Sequence, residues 1–406
     1  MTTTVPAPPA ARSADVRTGT RPRVALYSHD AQGLGHVRRN LAIAHALSGM
    51  EPAPDILLLT GAPEAVAAHR PRGCDLVSLP GLAKDADGDY GARHLSVGQR
   101  HVVDMRRAVL TAALTSFRPD VLVVDKHPRG LRGELEPALR ALAGTTQVVL
   151  GLRDVLDDPA VARREWSAER NGAALDRWYD AVWVYGDAAV HDPLAGLELP
   201  RRLRHRTVHT GYLAHGRDAL PSGRRTAVES PYVLATVGGG SDGATLAEAF
   251  ARAAMPAGHR GVLVTGPQMP PRERCRIHGI AESRPDLEVH EFVEDATALL
   301  AGASAVVGMG GYNTVCEAMS AGTPMLVVPR VRPRTEQLVR ARALTAAGVI
   351  DHLTPDRLSA AALTDWLAGA VRRAPVAGHG IDLDGLRRLP VLFSELADEK
   401  ENADVA

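Results

Sequence analysis

The chain is poor in cysteine, lysine and aromatic residues. Its 406 residues include three cysteines. Cys74, Cys275 and Cys316 stand singly, with no CxxC or Cys/His ligand spacing. That argues against a disulfide framework and a structural zinc, and fits a reducing compartment. Lys84, Lys126 and Lys400 are the only lysines, and the remainder of the 47 basic residues are arginine. GC-rich coding accounts for such a bias, although arginine also grips phosphates bidentately. Formal net charge is 0, against a nucleic-acid binder working by bulk electrostatics. Aromatics make up 4%, so the core must be built from Ala, Val and Leu. No apolar run approaches the ~20 residues of a membrane helix. The stretch 1–21 lacks the apolar segment of a secretory signal and is expected to be a disordered tail of a cytoplasmic protein. GxSxG, HExxH and P-loop lysine motifs are also missing, so esterase, metalloprotease and NTPase readings have no support.

What is present is a repeated alternation. RVALYSHD, DILLLTG, CDLVSLPG, PDVLVVDKH, TQVVLGLRD and AVWVYGD read as six strands. VRRNLAIAHALSG, APEAVAAHR, HVVDMRRAVLTAALTSF and ELEPALRALAG read as helices between them. Residues 214–230 are polar, with Pro and Gly and no period, and read as a linker. The theme then restarts: PYVLATVGGGSDG, GVLVTGP, LEVHEFV, SAVVGMGG and TPMLVVP read as strands, again with helices between. Strand–helix alternation predicts doubly wound parallel sheets. The expected organisation is a tail over 1–21, a first α/β domain over 22–213 and the linker over 214–230. A second α/β domain over 231–385 and a C-terminal segment over 386–406 complete it. Two such domains leave a cleft between them, a common place for a ligand.

Several motifs fall at carboxyl ends of strands. In GMGGYNTVCE, Gly310 and Gly311 allow a tight turn, and Asn313 or Thr314 is expected to cap the following helix. Its free N–H groups and dipole would suit a phosphate. Glu317, one turn on, could accept hydrogen bonds from a ribose diol; it could equally be a favourable acid near a helix start. Glu336 and Gln337 open a later helix and could bind sugar hydroxyls, or form a solvated turn. Gly238, Gly239 and Gly240, with Ser241, Asp242 and Gly243, make a second anion-type turn. Gly33, Gly35 and His36 occupy the same kind of place in the first domain. His36 would face the cleft as a neutral base, or merely cap the turn. Asp125, Lys126 and Asp154 end buried strands and are expected to face the cleft, as acceptors, bases or salt-bridge partners. Asp85, Asp87 and Asp89 hint at a metal. An EF-hand would need Glu where Ser96 stands, so a solvated loop is the better reading.

These residues together resemble a family. VLATVGGG, EFV, GMGGYNTVCEAMSAGTPMLVVP and EQ look like the donor domain of family-28 glycosyltransferases. SHDAQGLGHVRRNLAIAHAL, PDVLVVDKHPRG and GLRDVLDDP look closer to a poorly characterised bacterial branch of predicted glycosyltransferases. The resemblance spans roughly residues 23–385. It implies the GT-B fold: two Rossmann-like doubly wound parallel-sheet domains facing each other across a cleft. It also implies a final helix returning to the first domain, for which RLPVLFSELADE is the candidate. By this resemblance the second domain binds a nucleotide sugar, usually with uridine. Phe292 and Val293 would face the base, Gly310, Gly311, Asn313 and Thr314 the diphosphate, Glu317 the ribose, and Glu336 and Gln337 the sugar. Gly239, Gly240 and Ser241 belong to the same donor side. Gly33, Gly35 and His36 would form the Gly-rich loop over acceptor and diphosphate, with Asp154 on the same side.

The chain departs from the family's peptidoglycan enzyme at two points. GLGH is shorter than that enzyme's glycine run, and no apolar stretch compares with its membrane-docking patch. The expectation is therefore a hexosyltransferase using a nucleoside diphosphate sugar, with uridine diphosphate the expected carrier, and a small or soluble acceptor. No metal and no cofactor are expected, nor a nucleic-acid or integral-membrane partner, and the chain would be a monomer or homodimer. Diphosphate departure would rest on helix N-termini and loop amides. His36, Asp30 or Asp125 would be the base. A sugar-nucleotide 2-epimerase, or a non-catalytic protein that binds a nucleotide sugar, is the alternative.

Overall fold

The computed structural model describes residues 21–30, 35–84, 90–217, 228–375 and 380–405. Gly33, the Asp85–Asp87–Asp89 motif, most of the expected N-terminal tail and residues 218–227 of the expected linker lie outside the described residues.

The first domain begins with β1 (Arg23–Ser28), α1 (Gly35–Ser48), β2 (Asp55–Thr60) and β3 (Cys74–Ser78). A short hairpin, β4 (Leu82–Lys84) and β5 (Tyr90–Ala92), precedes α2 (Gln99–Phe117), β6 (Val121–Asp125), α3 (Glu136–Leu142) and β7 (Gln147–Arg153). The domain continues through α4 (Pro159–Ala168), α5 (Asn171–Trp178), β8 (Ala181–Tyr185), α6 (Arg201–Arg204) and β9 (Thr207–His209). The seven-stranded sheet has the order β3-β2-β1-β6-β7-β8-β9, and every pair in it is parallel. β6 and β8 are buried along their whole length, as continuous apolar runs on a two-sided sheet should be.

The second domain holds β10 (Tyr232–Thr236), α7 (Ala244–Arg252), β11 (Arg260–Val264), α8 (Pro271–Ala281), β12 (Leu287–His290) and α9 (Ala296–Ala301). Next come β13 (Ala305–Gly308), α10 (Tyr312–Ala321), β14 (Met325–Val327), α11 (Glu336–Ala346), β15 (Asp351–His352) and α12 (Ala360–Ala370). Its six-stranded parallel sheet has the order β12-β11-β10-β13-β14-β15. In both sheets the strand order reverses beside the first strand. That puts a topological switch point between β1 and β6, and another between β10 and β13, where ligands of doubly wound folds bind.

The expected returning helix exists as α13 (Gly385–Val405), which packs against α1 of the first domain. Leu386, Leu389, Phe393 and Leu396 form its buried stripe. The start of the expected linker is packed rather than free. Ala214 is buried, and His215 donates its backbone N–H to Leu383. One apolar cluster runs through both domains and includes Tyr185, Tyr212 and Tyr312.

Some expectations need correction. APEAVAAHR is a single 3₁₀ turn, Pro63–Ala67, with no side-chain cap at Ala62. α8 escapes the periodicity test because Ile277 is its one buried side chain. α4 had a readable start, since Asp158 caps the Ala160 N–H ahead of Pro159. The stretch expected to be a polar loop holds the β4–β5 hairpin.

Candidate functional site

The carboxyl ends of three adjacent strands build the first-domain wall of the cleft. β1 runs into His29 and Asp30, β6 into Asp125, Lys126 and His127, and β7 into Arg153 and Asp154. His36 stands in the first turn of α1, beside the switch point. Its Nδ1 lies 2.8 Å from Asp125 Oδ2. Arg39, one turn along α1, donates to both Asp125 oxygens, at 2.7 Å to Oδ1. Arg39 and Asp125 are each 1% exposed. Burial alone would raise the Asp125 carboxyl; Arg39 and then His36 outweigh it and hold it well below the usual carboxylate range. His36 Nδ1 also lies 3.0 Å from Arg39 Nη2, so Asp125 and Arg39 together fix the ring, and among the described residues Nε2 has no hydrogen-bond partner.

Two more histidines crowd this point. The His29 ring lies 5.0 Å from that of His36 and 4.6 Å, edge-on, from that of His127. Burial, then His127 and His36, pushes His29 well below its ordinary value, so it is neutral. Burial also lowers His127, against the hydrogen bond it donates to Glu169. Asp30, expected as a possible base, is engaged elsewhere. Its Oδ2 accepts from Ser28 and, at 2.5 Å, from Thr60, while Oδ1 is buried without a partner.

On the opposing wall, the loop Gly238–Gly243 leads into α7, and Gly310–Gly311 leads into α10. Gly240 has φ +92°, and a Cβ there would sit 2.2 Å from the Thr265 carbonyl. Gly310 has φ +79°, with Val327 2.6 Å from a would-be Cβ. Both turns therefore require glycine. Ser241 is exposed, and Asp242 meets Arg330 at 3.0 Å. Phe292 is 59% exposed, whereas Val293 is buried. α10 begins at Tyr312, earlier than the expected Asn313 or Thr314 start, with extended Gly311 as its cap residue. Asn313 does not cap, because both ends of its amide are used. Nδ2 donates to the Gly35 carbonyl of the other domain at 2.9 Å, and Oδ1 accepts from Arg217 at 2.9 Å. Thr314 is partly exposed one position on.

Asp125, Asp154, Glu317 and Glu336 are each met by an arginine. Glu317, 3% exposed at its side chain, is 2.6 Å from Arg38 of the first domain and 3.4 Å from Arg217. Glu336 meets Arg153 across the cleft at 2.5 Å. Burial would raise Glu336, but Arg153 and Lys126 hold it well below the usual range. Asp154 is gripped by Arg340 of α11 at 2.6–3.0 Å, and Arg340 also donates to the Gly310 carbonyl. Gln337 Oε1 accepts the Arg330 backbone N–H. The Tyr312 hydroxyl bonds the Tyr185 carbonyl and the Leu213 N–H, with Arg39 and Arg340 over its ring. The two walls are thus joined by ion pairs and hydrogen bonds along the cleft. Sequence reasoning found the carboxylates and missed these arginines; nothing sets Arg38, Arg153 or Arg340 apart in an arginine-rich chain. Among the described residues, no group of His, Cys, Asp or Glu is arranged to hold a metal, and no helix is long and apolar enough to cross a membrane.

Two doubly wound domains, a glycine-loop second domain and a returning C-terminal helix make up the GT-B fold. Residues 234–368 match the glycosyltransferase family 28 C-terminal domain. It is 32% identical over 219 residues to the UDP-N-acetylglucosamine--N-acetylmuramyl-(pentapeptide) pyrophosphoryl-undecaprenol N-acetylglucosamine transferase of Methylobacterium nodulans, covering 49% of this chain and 57% of that one. The enzyme of the same name from Solidesulfovibrio magneticus is 24% identical over 348 residues, covering 82% and 86%. An uncharacterized glycosyltransferase of Methanosarcina acetivorans is 24% identical over 54% of this chain and 56% of its own. The chain thus spans little more than half the length of two of these relatives. Among solved structures, the glycosyltransferase VinC in complex with dTDP superposes with a TM-score of 0.58 at 17% identity, covering 94% of this chain and 100% of that one. This last likeness concerns the fold.

Proposed function

We propose that the protein transfers a hexose from a nucleoside diphosphate sugar, with uridine diphosphate as the carrier, to a hydroxyl of a small or soluble acceptor. The observation that carries this reading is the His36–Asp125 pair, facing the Gly310–Gly311 turn and α10 across the cleft. His36 Nε2 takes the acceptor proton while Asp125 stabilises the imidazolium that forms. The acceptor oxygen attacks the anomeric carbon, and the bond from that carbon to the diphosphate breaks. Loop amides and the N-terminus of α10 receive the departing negative charge, without a metal ion or other cofactor. Glu317 holds the ribose diol, and Glu336 with Gln337 the sugar hydroxyls. For this, Arg38 must release the Glu317 carboxylate, while Arg153 gives up only its longer 3.4 Å contact to Glu336.

The test is incubation of the purified chain with a panel of nucleotide sugars and hydroxyl acceptors, with and without EDTA, and product analysis by mass spectrometry. Sugar transfer, or slow donor hydrolysis, that survives chelation is the expected result. An isomerised donor with no nucleotide released would point to a 2-epimerase. Donor binding with neither outcome would point to a non-catalytic binding protein. Activity lost on chelation would overturn the metal-free step.

A further inference from the structure

Around Glu336 the cleft holds more cationic donors than acceptors. Arg153 Nη2 is 2.5 Å from Glu336 Oε2, Arg153 Nη1 is 3.4 Å from Oε1, and Arg330 Nη2 is 3.6 Å from Oε1. The Nε atoms of Arg153 and Arg330 are both buried without a hydrogen-bond partner. Lys126, at the end of β6, adds its charge to the same corner, where Arg153 and Glu336 are the strongest charges acting on it. Among the described residues, none bonds its ammonium. It is also one of only three lysines in the chain. Arg330 also meets Asp242 at 3.0 Å, so this corner sets three cations, Lys126, Arg153 and Arg330, against two carboxylates; elsewhere along the cleft Arg38 and Arg217 share Glu317, Arg39 pairs with Asp125 and Arg340 with Asp154. The surplus is local to Glu336.

Buried N–H donors without acceptors are costly. Burial and then Arg153 push Lys126 down to about 8. A ligand whose only polar groups are hydroxyls would bring no negative charge to balance the excess of cations. A carboxylate would compensate it: it is planar, accepts bidentately from a guanidinium and carries the missing negative charge. We propose that this corner is a subsite for a carboxylate on the transferred sugar, so that the donor is a nucleoside diphosphate uronic acid, held by Lys126, Arg153 and Arg330. The inference rests on the glycosyltransferase reading above, since it takes Glu336 and Gln337 as the sugar contacts. The incoming carboxylate replaces the longer of the two Arg153–Glu336 contacts and leaves the 2.5 Å one in place.

Calorimetry on the full chain tests it with three probes: UDP, UDP-glucose and UDP-glucuronate. The wild type should bind UDP-glucuronate at least about tenfold tighter than UDP-glucose. Lys126→Gln keeps the side chain's polarity and breaks no ion pair. It should erase most of that preference while leaving UDP and UDP-glucose within about twofold of wild type, the size expected for a site away from the nucleotide. Equal affinity for the two sugars in the wild type overturns the proposal, as does a preference undiminished in Lys126→Gln. If UDP binds and no preference appears, only the acidic-sugar inference fails. If none of the three probes binds, the donor reading fails with it.

Discussion

Replacing His36 by Ala separates the chemistry of the cleft from its architecture. The imidazole is 14% exposed, and its Nδ1 lies 2.8 Å from Asp125 and 3.0 Å from Arg39 Nη2. Asp125 would not be orphaned, because Arg39 still donates to both its oxygens. A hydrogen bond to a charged group contributes about 1.5–3 kcal/mol, but Asp125 stays paired, so the net loss should be near the ~1 kcal/mol of an ordinary hydrogen bond. Alanine's better helix propensity offsets part of even that. For domains of about 150–250 residues a ~1 kcal/mol loss lowers Tm by roughly 2–4 °C. The catalytic effect should be far larger, because losing a positioned general base costs about 10²–10⁴-fold in rate. At ~1.36 kcal/mol per tenfold, that is about 3–5 kcal/mol of barrier. Asp125→Asn is the poorer probe. It would leave Arg39 buried without a counter-charge, and breaking such a pair costs about 3–5 kcal/mol of stability. The assay is nucleotide release from donor, run beside a thermal melt of the same preparation. A His36→Ala enzyme that keeps its melt and loses at least about a hundredfold in kcat agrees with the account. One that turns over within about threefold of wild type refutes His36 as the base.

Glu317→Ala removes the proposed ribose contact and also frees Arg38 and Arg217. Donor affinity should fall about tenfold, or ~1.4 kcal/mol, and discrimination against a 2′-deoxy donor should vanish; unchanged affinity on titration would remove Glu317 from the site. Arg340→Met leaves Asp154 buried and unpaired, so urea melts should show about 3–5 kcal/mol lost, largely recovered in Arg340→Met with Asp154→Leu. Acid should act in two stages. His29 and His127 have folded values below the 6.5 of the unfolded chain, so the stability they confer is complete above that pH and is lost as pH falls through their folded values. Asp125 and Glu336 lie below unfolded values of 3.8 and 4.5, so their share persists to lower pH and is lost only beneath that range. A melt series against pH that is flat from 7 to 4 would contradict the buried neutral histidines.

The layout of the fold was legible because buried parallel strands write continuous apolar runs, as Val121–Asp125 does. Glycine turns at strand ends were legible for a related reason: at Gly240 and Gly310 no side chain fits. Elements that bury little were not readable. α8 covers one side chain, and the 3₁₀ turn Pro63–Ala67 has the alanine content of a helix without the length or cap to sustain one. Within the site, the sequence marked His36, Asp125, Glu317 and Glu336 but not their partners. Arg38 meets Glu317 over a separation of 279 residues, and Arg153 meets Glu336 over 183. Such pairings arise from two domains closing on each other, which no local pattern records. Asn313 shows the cost of reading locally: its residue type suits a helix cap, yet the helix starts before it and its amide bridges the domains.

The central claim is that the cleft between the two sheets holds a nucleoside diphosphate without a metal ion. Calorimetric titration of UDP into the full chain in EDTA tests it most directly. Saturable one-site binding, weakened about tenfold or more by Glu317→Ala, is the result the account predicts. No binding by UDP or any other nucleoside diphosphate, or binding that appears only when a divalent cation is restored, would contradict it.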